Sequence, residues 1–146
     1  MGRQDSLAHT PPISPKTERR LTNGITLDAG GLIALDRNNR RIVALLERAA
    51  VHGLRITIPT TALAQAMRSP ARQARLSRLI RHVSTDLVSL SGPDATAVGL
   101  LLARTGTSDI VDAHVVLCAQ RTGQAVVTSD PDDLRRLDAG LKLIST

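Results

Sequence analysis

The sequence predicts an α/β fold, with a central parallel sheet of about five short strands and helices on both faces. Short aliphatic and β-branched runs alternate along the chain with longer segments whose apolar residues recur at helical spacing, a pattern typical of parallel sheets. Aspartates follow two of the strand-like runs, and open α/β sheets bind their ligands beyond such strand ends. The length of 146 residues is enough for one domain with a proper core.

The first 23 residues are predicted to form a disordered tail, and residues 24–146 a single folded domain. The tail is polar, has three prolines in residues 10–15 and shows no helical or strand period. It lacks the apolar core of a signal peptide, and no run of about 18 apolar residues occurs in the chain. The protein is therefore expected to be cytoplasmic, with no membrane contact.

The predicted elements begin at residue 25, and several have a clear start or stop signal. Gly30 and Gly31 allow a tight turn from the first strand into a short helix, and Asn38 or Asn39 can cap the next helix. Pro59 stops the second strand. Strands are predicted at 25–28, 55–58, 86–90, 125–129 and 141–144.

The later helices are predicted from caps and breakers. Ser69 and Pro70 have the cap and first-turn proline typical of a helix start, Gly106 ends one helix, and Ser108 caps the next. Helices are predicted at 30–35, 40–52, 60–67, 70–81, 94–104, 109–120 and 131–138.

Composition limits the possible functions. The chain has no Phe, Tyr or Trp, which argues against binders that stack bases on aromatic side chains. Its one cysteine, Cys118, can form neither an internal disulfide nor a thiolate metal site. Arginine supplies 17 of the 19 basic residues and the net charge is +6, which would attract a polyanion. The codon bias of a GC-rich genome explains the arginines equally well.

The candidate active site consists of aspartates that this fold would bring together. Asp28 and Asp130 end strand-like runs, while Asp109 and Asp112 share one helix face. They meet in one crevice if the first and fourth strands are neighbours. Carboxylates ~5 Å apart repel by roughly 3 kcal/mol per pair at an effective dielectric of ~20, so the cluster needs protons or a cation. Oxygen ligands suit Mg²⁺ or Mn²⁺, which could activate water against a phosphodiester.

Most of these acids also have a purely structural explanation. Asp130 precedes Pro131 and two further acids, an arrangement typical of a helix N-terminus. Asp28 can cap a short helix, and Asp109 can stabilise a helix dipole. Asp112 lies inside an otherwise apolar helix and is harder to explain in this way.

Four segments resemble the PIN-domain ribonucleases and, among them, the VapC-type toxins of toxin–antitoxin pairs. They lie at residues 27–35, 58–65, 112–116 and 127–134, in the family's order, within a resemblance that spans roughly residues 25–145. The resemblance implies a PIN fold, hydrolysis of RNA phosphodiester bonds, and a Mg²⁺ or Mn²⁺ site on Asp28, Asp112 and Asp130, with Asp109 as an extra acid. It also implies a homodimer that is silenced by a small antitoxin protein.

One position departs from the family pattern. The family's second acid, usually a glutamate, falls on Gln65, and the only glutamates, Glu18 and Glu47, lie in other segments. An amide oxygen can ligate a cation or orient water but cannot act as a base. Asp109 is a candidate to replace the missing charge. The alternative is a degenerate domain that binds RNA or a protein partner without cleavage.

Basic residues recur every three or four positions and are predicted to contact the RNA backbone: Arg68, Arg72, Arg75, Arg78 and Arg81. We call these five residues the arginine ridge. Two other roles are open for the arginine ridge: it is an ordinary solvated helix face, or it contacts an acidic antitoxin tail. Ser129 is a further candidate for holding water or the scissile phosphate. A 5′-nuclease-like enzyme acting on DNA is disfavoured because the chain lacks the length for extra helical arches.

Overall fold

The computed structural model describes residues 13–146, without the side chains of residues 18–20. Its strands are β1 (Ile25–Leu27), β2 (Ile56–Pro59), β3 (Thr85–Val88), β4 (Ala125–Thr128) and β5 (Leu143–Ser145). The helices of this part of the chain are α1 (Pro15–Arg20), α2 (Ala29–Asp36), α3 (Arg40–Val51), α4 (Thr60–Ala66), α5 (Ala74–Arg81), α6 (Gly92–Thr105), α7 (Ile110–Thr122) and α8 (Pro131–Leu137). Strands and helices alternate, which confirms the predicted α/β class.

All five strands are parallel and lie in the order β3-β2-β1-β4-β5. The central strand β1 pairs with β2 on one side and with β4 on the other, where Ile25 lies opposite Ala125. The chain therefore builds the sheet outward from β1 to β3 and then returns to the other side of β1. Such a reversal of strand order opens a crevice at the carboxyl ends of the two strands. The neighbourhood of the first and fourth strands, on which the predicted site depends, is confirmed.

Helices cover the sheet and bury its central strands completely. Every residue of β1, β2 and β4 is buried, as is typical of parallel sheets. Helix α7 packs against all three of these strands. The core is aliphatic, and its largest fully buried apolar side chains include Ile25, Leu27, Leu32, Ile42, Leu45, Ile58, Leu76, Leu134 and Ile144. No helix in residues 13–146 is both long and apolar enough to cross a membrane.

The predicted start of α5 is wrong. Ser69 and Pro70 do not begin the helix, which starts at Ala74. Gln73 explains the delay, because its buried side-chain oxygen accepts hydrogen bonds from two backbone N–H groups of the preceding loop at 2.8 and 2.9 Å. Its amide nitrogen donates to the carbonyl oxygen of Ala66 at 3.0 Å. This side-chain clamp holds the loop, in which residues 69–73 form a separate turn closed by bonds from the N–H groups of Arg72 and Gln73 to the carbonyl oxygen of Ser69, both at 3.0 Å.

The predicted cap of α7 is also wrong. Asp109, and not Ser108, is the capping residue, since its side chain accepts a hydrogen bond from the N–H of Asp112 at 2.9 Å. Hydroxyls and carboxylates are both good caps, so the sequence could not separate the two. Asp109 therefore lies just before the helix and not in its first turn.

Part of the predicted disordered tail is folded. Helix α1 spans Pro15–Arg20, and Leu21 behind it is only 2% exposed and belongs to the core. A helix of six residues has fewer than two turns, which is too short for an apolar period to be recognised. The tail prediction is therefore wrong over residues 13–21. Residues 1–12 of that tail lie outside the described residues.

Candidate active site

The carboxyl ends of β1 and β4 place two aspartates at one edge of the sheet. Asp28 directly follows β1, and Asp130 lies two residues beyond β4. The N–H of Asp28 donates to the carbonyl oxygen of Val127 at 3.3 Å, which ties its backbone to β4. The negative charge of Asp130 contributes to a raised pKa of Asp28. The two carboxyl groups are therefore close enough to repel each other, although burial has the larger effect on the pKa of Asp28.

Asp28 caps α2 from a buried position. Its Oδ1 accepts a hydrogen bond from the N–H of Gly31 at 2.7 Å, and the residue is 6% exposed. Burial raises the pKa of Asp28, while hydrogen bonds from the Thr128 hydroxyl and from the backbone of Gly31 and Gly30 oppose that rise. Capping explains the orientation of the side chain. It does not explain a carboxyl group buried near another acid, where a neutral cap would be less costly.

Asp112 lies where the acids of three elements meet. It is partly buried in the first turn of α7. Its pKa is raised to about 6, first by burial and then by the negative charges of Asp109, Asp28, Asp133 and Asp130. The structure thus brings together all four aspartates predicted for the site and adds a fifth.

Asp130 and Asp133 are close neighbours at the start of α8. The Asp130 side chain makes no hydrogen bond of capping geometry, and its backbone N–H donates to the Thr128 hydroxyl at 2.9 Å. The nearby carboxyl group of Asp133 is the main cause of a raised pKa of Asp130. The backbone N–H of Asp133 opposes this rise in pKa, so Asp130 retains a weak capping interaction as well as a close acidic neighbour.

A cleft of about 290 Å³ beside α7 and α8 exposes part of this cluster to solvent. It is lined by Thr107, Ser108, Asp109, Asp112, Asp133, Arg136 and Leu137. In the described part of the chain, no three His, Cys, Asp or Glu side chains are arranged so that they could hold a metal ion. The donor chemistry nevertheless fits a hard cation, because the oxygens come from several elements and their charges oppose one another. A divalent cation would neutralise that repulsion.

Gln65 lies outside the hydrogen-bonded part of the site. It is exposed on α4 and forms no hydrogen bond with the described residues. Helix α4 packs against α2 and α7. One turn before Gln65, the hydroxyl oxygen of Thr61 lies 2.7 Å from Nδ1 of His114, which is fully buried on α7. This contact fixes α4 to the helix that contains Asp112, and it supports a structural role for His114.

The arginine ridge is exposed and electrically unpaired. None of its five residues forms an ion pair within residues 13–146. Arg68 donates instead to the carbonyl oxygens of Ala64 and Met67, at 3.2 and 2.8 Å. The other four lie on α5 or in the loop before it and are all exposed. None of them lines the acidic cleft.

Two glycines bring Ser129 next to the helix that Asp28 caps. A Cβ atom on Gly30 would lie 2.1 Å from the hydroxyl oxygen of Ser129, and one on Gly31 would lie 2.8 Å from the carbonyl oxygen of Val127. Only glycine lets the first turn of α2 approach the end of β4 this closely. Ser129 and Asp28 therefore lie on adjacent backbone segments, while the predicted phosphate contact of Ser129 stays a prediction.

Two charged residues of the cleft were not predicted for the site, Asp133 and Arg136. Asp133 is one of the two further acids behind Pro131, which the sequence places in the first turn of a helix, and no sequence pattern assigns a role to Arg136. Their spacing of three predicts an ion pair on one helix face. Asp132 and Arg135 have the same spacing, so the sequence could not show which pair faces the cleft.

Comparisons with known proteins agree with this architecture. The family model for the PIN domain matches residues 25–140. A chain of the VapBC2 complex from Rickettsia felis, solved with a DNA fragment from their promoter, aligns over 84% of this chain and 98% of its own, with 17% identity and a TM-score of 0.60. A chain of FitAB bound to an IR36 DNA fragment aligns over 83% and 94%, with 13% identity and a TM-score of 0.58.

A third structure, PAE2754 from Pyrobaculum aerophilum, aligns over 82% of this chain and 81% of its own, with 19% identity and a TM-score of 0.53. At these identities the likeness shows the fold alone. The sequence has no significant match among curated proteins.

Proposed function

Because this chain belongs to the PIN domain family, a family of nucleases, we propose that it is an endoribonuclease that depends on Mg²⁺ or Mn²⁺. The observation that supports this proposal most directly is the position of Asp112. Burial first, and then the negative charges of four other aspartates, raise its pKa to about 6. A cluster of acids that destabilises its own charge is typical of a cation site.

The proposed roles follow from the positions of the side chains. Asp28, Asp112 and Asp130 hold the cation, and Asp109 adds a ligand or a contact to water. A divalent ion, when bound there, would polarise the phosphodiester and lower the pKa of a water molecule. The three carboxylates belong to two strand ends and one helix start, and their mutual repulsion supports a shared cation. Ser129, beside the first turn of α2, orients water or the scissile phosphate.

Gln65→Glu is expected to raise the affinity for Mn²⁺ about tenfold, equivalent to about 1.4 kcal/mol. A carboxylate on α4 would add a charge on a helix that packs against both α2 and α7. The measurement is a Mn²⁺ titration of the cleavage rate, with Gln65→Ala as the matched neutral variant. An unchanged titration curve would exclude position 65 from the metal site. Cleavage seen only with Gln65→Glu would identify a nuclease disabled by its glutamine.

The double substitution of Arg75→Gln and Arg78→Gln is expected to weaken RNA binding. It is also expected to make that binding less dependent on salt concentration. Each lost phosphate contact lowers the slope of log K against log salt by about 0.7 for a single strand, so the pair should lower it by about 1.4. The comparison is with Arg40→Gln combined with Arg41→Gln, an equal loss of exposed charge on α3. Equal slopes for the two double variants would show that the ridge is only a solvated face.

The partners are part of the same proposal. We propose a homodimer that acts in the cytoplasm and is silenced by a small antitoxin protein covering the acidic cleft. The fold is shared with chains from the VapBC2 and FitAB complexes, which supports but does not establish such a partner. Light scattering of the purified protein tests the dimer, since a monomeric mass would contradict it.

The function itself is tested by incubating the protein with total cellular RNA and with DNA of matched length. Each reaction contains Mg²⁺, Mn²⁺ or a chelator. Metal-dependent cleavage of RNA supports the proposal, whereas cleavage of DNA alone would favour the 5′-nuclease-like alternative. RNA binding without cleavage, by the wild type and by Gln65→Glu alike, would favour the non-catalytic binding module.

A further inference from the structure

The acidic cleft contains one basic side chain. Among the described residues that line it, Asp109, Asp112 and Asp133 carry negative charge, and Arg136 alone carries positive charge. A phosphodiester is an anion, so the carboxylates repel it and a guanidinium attracts it. Within this cleft, any ionic contact between the protein and a phosphate group therefore falls to Arg136.

Arg136 can exchange its present partner for a phosphate. Its Nη1 donates to Oδ1 of Asp133 at 3.1 Å, and its side chain is 69% exposed. An exposed ion pair one helical turn apart stabilises by only about 0.3–0.5 kcal/mol, so breaking it costs little. The guanidinium has more donors than this one bond uses. The remaining donors suit a two-pronged contact with phosphate oxygens.

The neighbouring Arg135 is a natural control. It lies on the same helix, pairs with Asp132 at 3.2 Å with the same spacing of three, and is 55% exposed. It does not line the cleft, because consecutive helical residues point about 100° apart. The two arginines therefore match in charge, exposure and pairing, and they differ in direction.

Arg136 is also distinct from the arginine ridge. The ridge runs from the end of α4 through α5, and none of its residues lines the cleft. Arg136 lies on α8, directly after the strand end that supplies Asp130. The ridge is placed to hold the RNA backbone outside the site, and Arg136 is placed among the acids themselves.

We propose that Arg136 binds the phosphate group at which the RNA is cleaved and releases Asp133 when the substrate enters the cleft. This assignment rests on the proposed function and adds a substrate-binding residue to it. Lysine is not equivalent to arginine in binding a phosphate group. The planar guanidinium of arginine can contact two phosphate oxygens at once, whereas the ammonium group of lysine acts as a point charge.

The test measures binding of short random-sequence single-stranded RNA with a fluorescent label, by anisotropy. It uses an Asp112→Asn background, in which cleavage is expected to be slower by about a hundredfold or more. Arg136→Gln is expected to weaken binding about tenfold and Arg135→Gln by less than about twofold. Arg136→Lys should fall between them. In the cleavage-competent protein, Arg136→Gln is expected to raise KM, again without a matching change in Arg135→Gln. Far-ultraviolet circular dichroism confirms that each variant is folded.

Equal affinities of the Arg136→Gln and Arg135→Gln variants, in a protein whose wild type cleaves RNA, would overturn the assignment. Arg136 would then serve only as the partner of Asp133. Failure of the wild type to cleave RNA with either metal would instead overturn the proposed function, and the assignment with it. The wild-type reaction therefore separates the two failures.

Discussion

Asp112→Asn is expected to lower the rate of metal-dependent RNA cleavage by about a hundredfold to a thousandfold. The amide preserves the shape of the side chain and removes its charge. Loss of one electrostatic group from a preorganised site has effects of about this size. The carboxylates of the four other aspartates that act on Asp112 occupy different positions in the cluster. None of them is therefore expected to supply the charge that Asp112 loses. Initial rates on labelled RNA at saturating Mn²⁺ measure the effect.

The same substitution is expected to stabilise the metal-free protein at neutral pH. Folding raises the pKa of Asp112 from 3.8 to about 6, so the folded state binds more protons than the unfolded state between those values, and stability falls as pH rises through them. This rise in pKa lowers the free energy of unfolding of the wild type at neutral pH by about 3 kcal/mol. Because Asp112 is partly exposed, solvent screening reduces the loss to about 1–2 kcal/mol. The free energy of unfolding of Asp112→Asn should therefore exceed that of the wild type near pH 7.5, and the difference should vanish below about pH 4.

Asp132→Asn is the matched control for both effects. Asp132 is exposed on α8, pairs with Arg135, and does not line the cleft. We expect its cleavage rate to stay within about threefold of the wild type, because an exposed ion pair contributes little. Retention of more than a tenth of the activity by Asp112→Asn, with an unchanged stability at both pH values, would contradict the proposed site.

Gly24→Ala is expected to destabilise the protein by about 3 kcal/mol. Gly24 has a φ of 92° directly before the central strand β1, and an L-residue in left-handed backbone costs about 1–2 kcal/mol. A Cβ atom would also lie 2.2 Å from the carbonyl oxygen of Arg55. That oxygen accepts a hydrogen bond from the N–H of Ile25 at 3.1 Å. Relieving the overlap therefore strains the pairing of β1, at a further cost of about 1–3 kcal/mol.

Urea unfolding followed by circular dichroism measures this loss, because the absence of Trp and Tyr rules out intrinsic fluorescence. Gly99→Ala is the control. Gly99 lies in α6 with open space where its Cβ would be, so alanine should stabilise by about 0.5–1 kcal/mol. If both variants shift the free energy of unfolding in the same direction, the structure around Gly24 must differ from that described.

The sequence could predict most of the fold because the buried strands are short aliphatic and β-branched runs that alternate with segments of helical period. Pro59 stops β2 and Gly106 ends α6, as expected from their backbone preferences. The three principal acids were predictable for a related reason. Ligands bind beyond strand ends in this class of fold, so Asp28 and Asp130 could be proposed for one site on the condition that the first and fourth strands are neighbours, which the structure confirms. Asp112 could be proposed because it is an acid inside an otherwise apolar helix.

The rest depends on contacts between distant side chains. The late start of α5 results from the clamp made by Gln73, which no local propensity indicates. Helix α1 is too short to show a period. The direction in which Arg136 points is fixed by how α8 docks, and the sequence gives Arg135 the same surroundings. Local sequence patterns therefore predict where the candidate site lies. Tertiary packing decides which further side chains, such as Arg136, face it.

The sheet order also bears on how the protein is made. Strands β1, β2 and β3 are synthesised in sequence, but the second neighbour of β1 arrives only with β4. Closing so long a segment of chain is slow compared with forming local contacts. Asp130 leaves the ribosome more than a hundred residues after Asp28, so a nascent chain holds an incomplete set of acids. Under the proposed function, the acids of the site are therefore incomplete in the nascent chain until residue 130 has been synthesised.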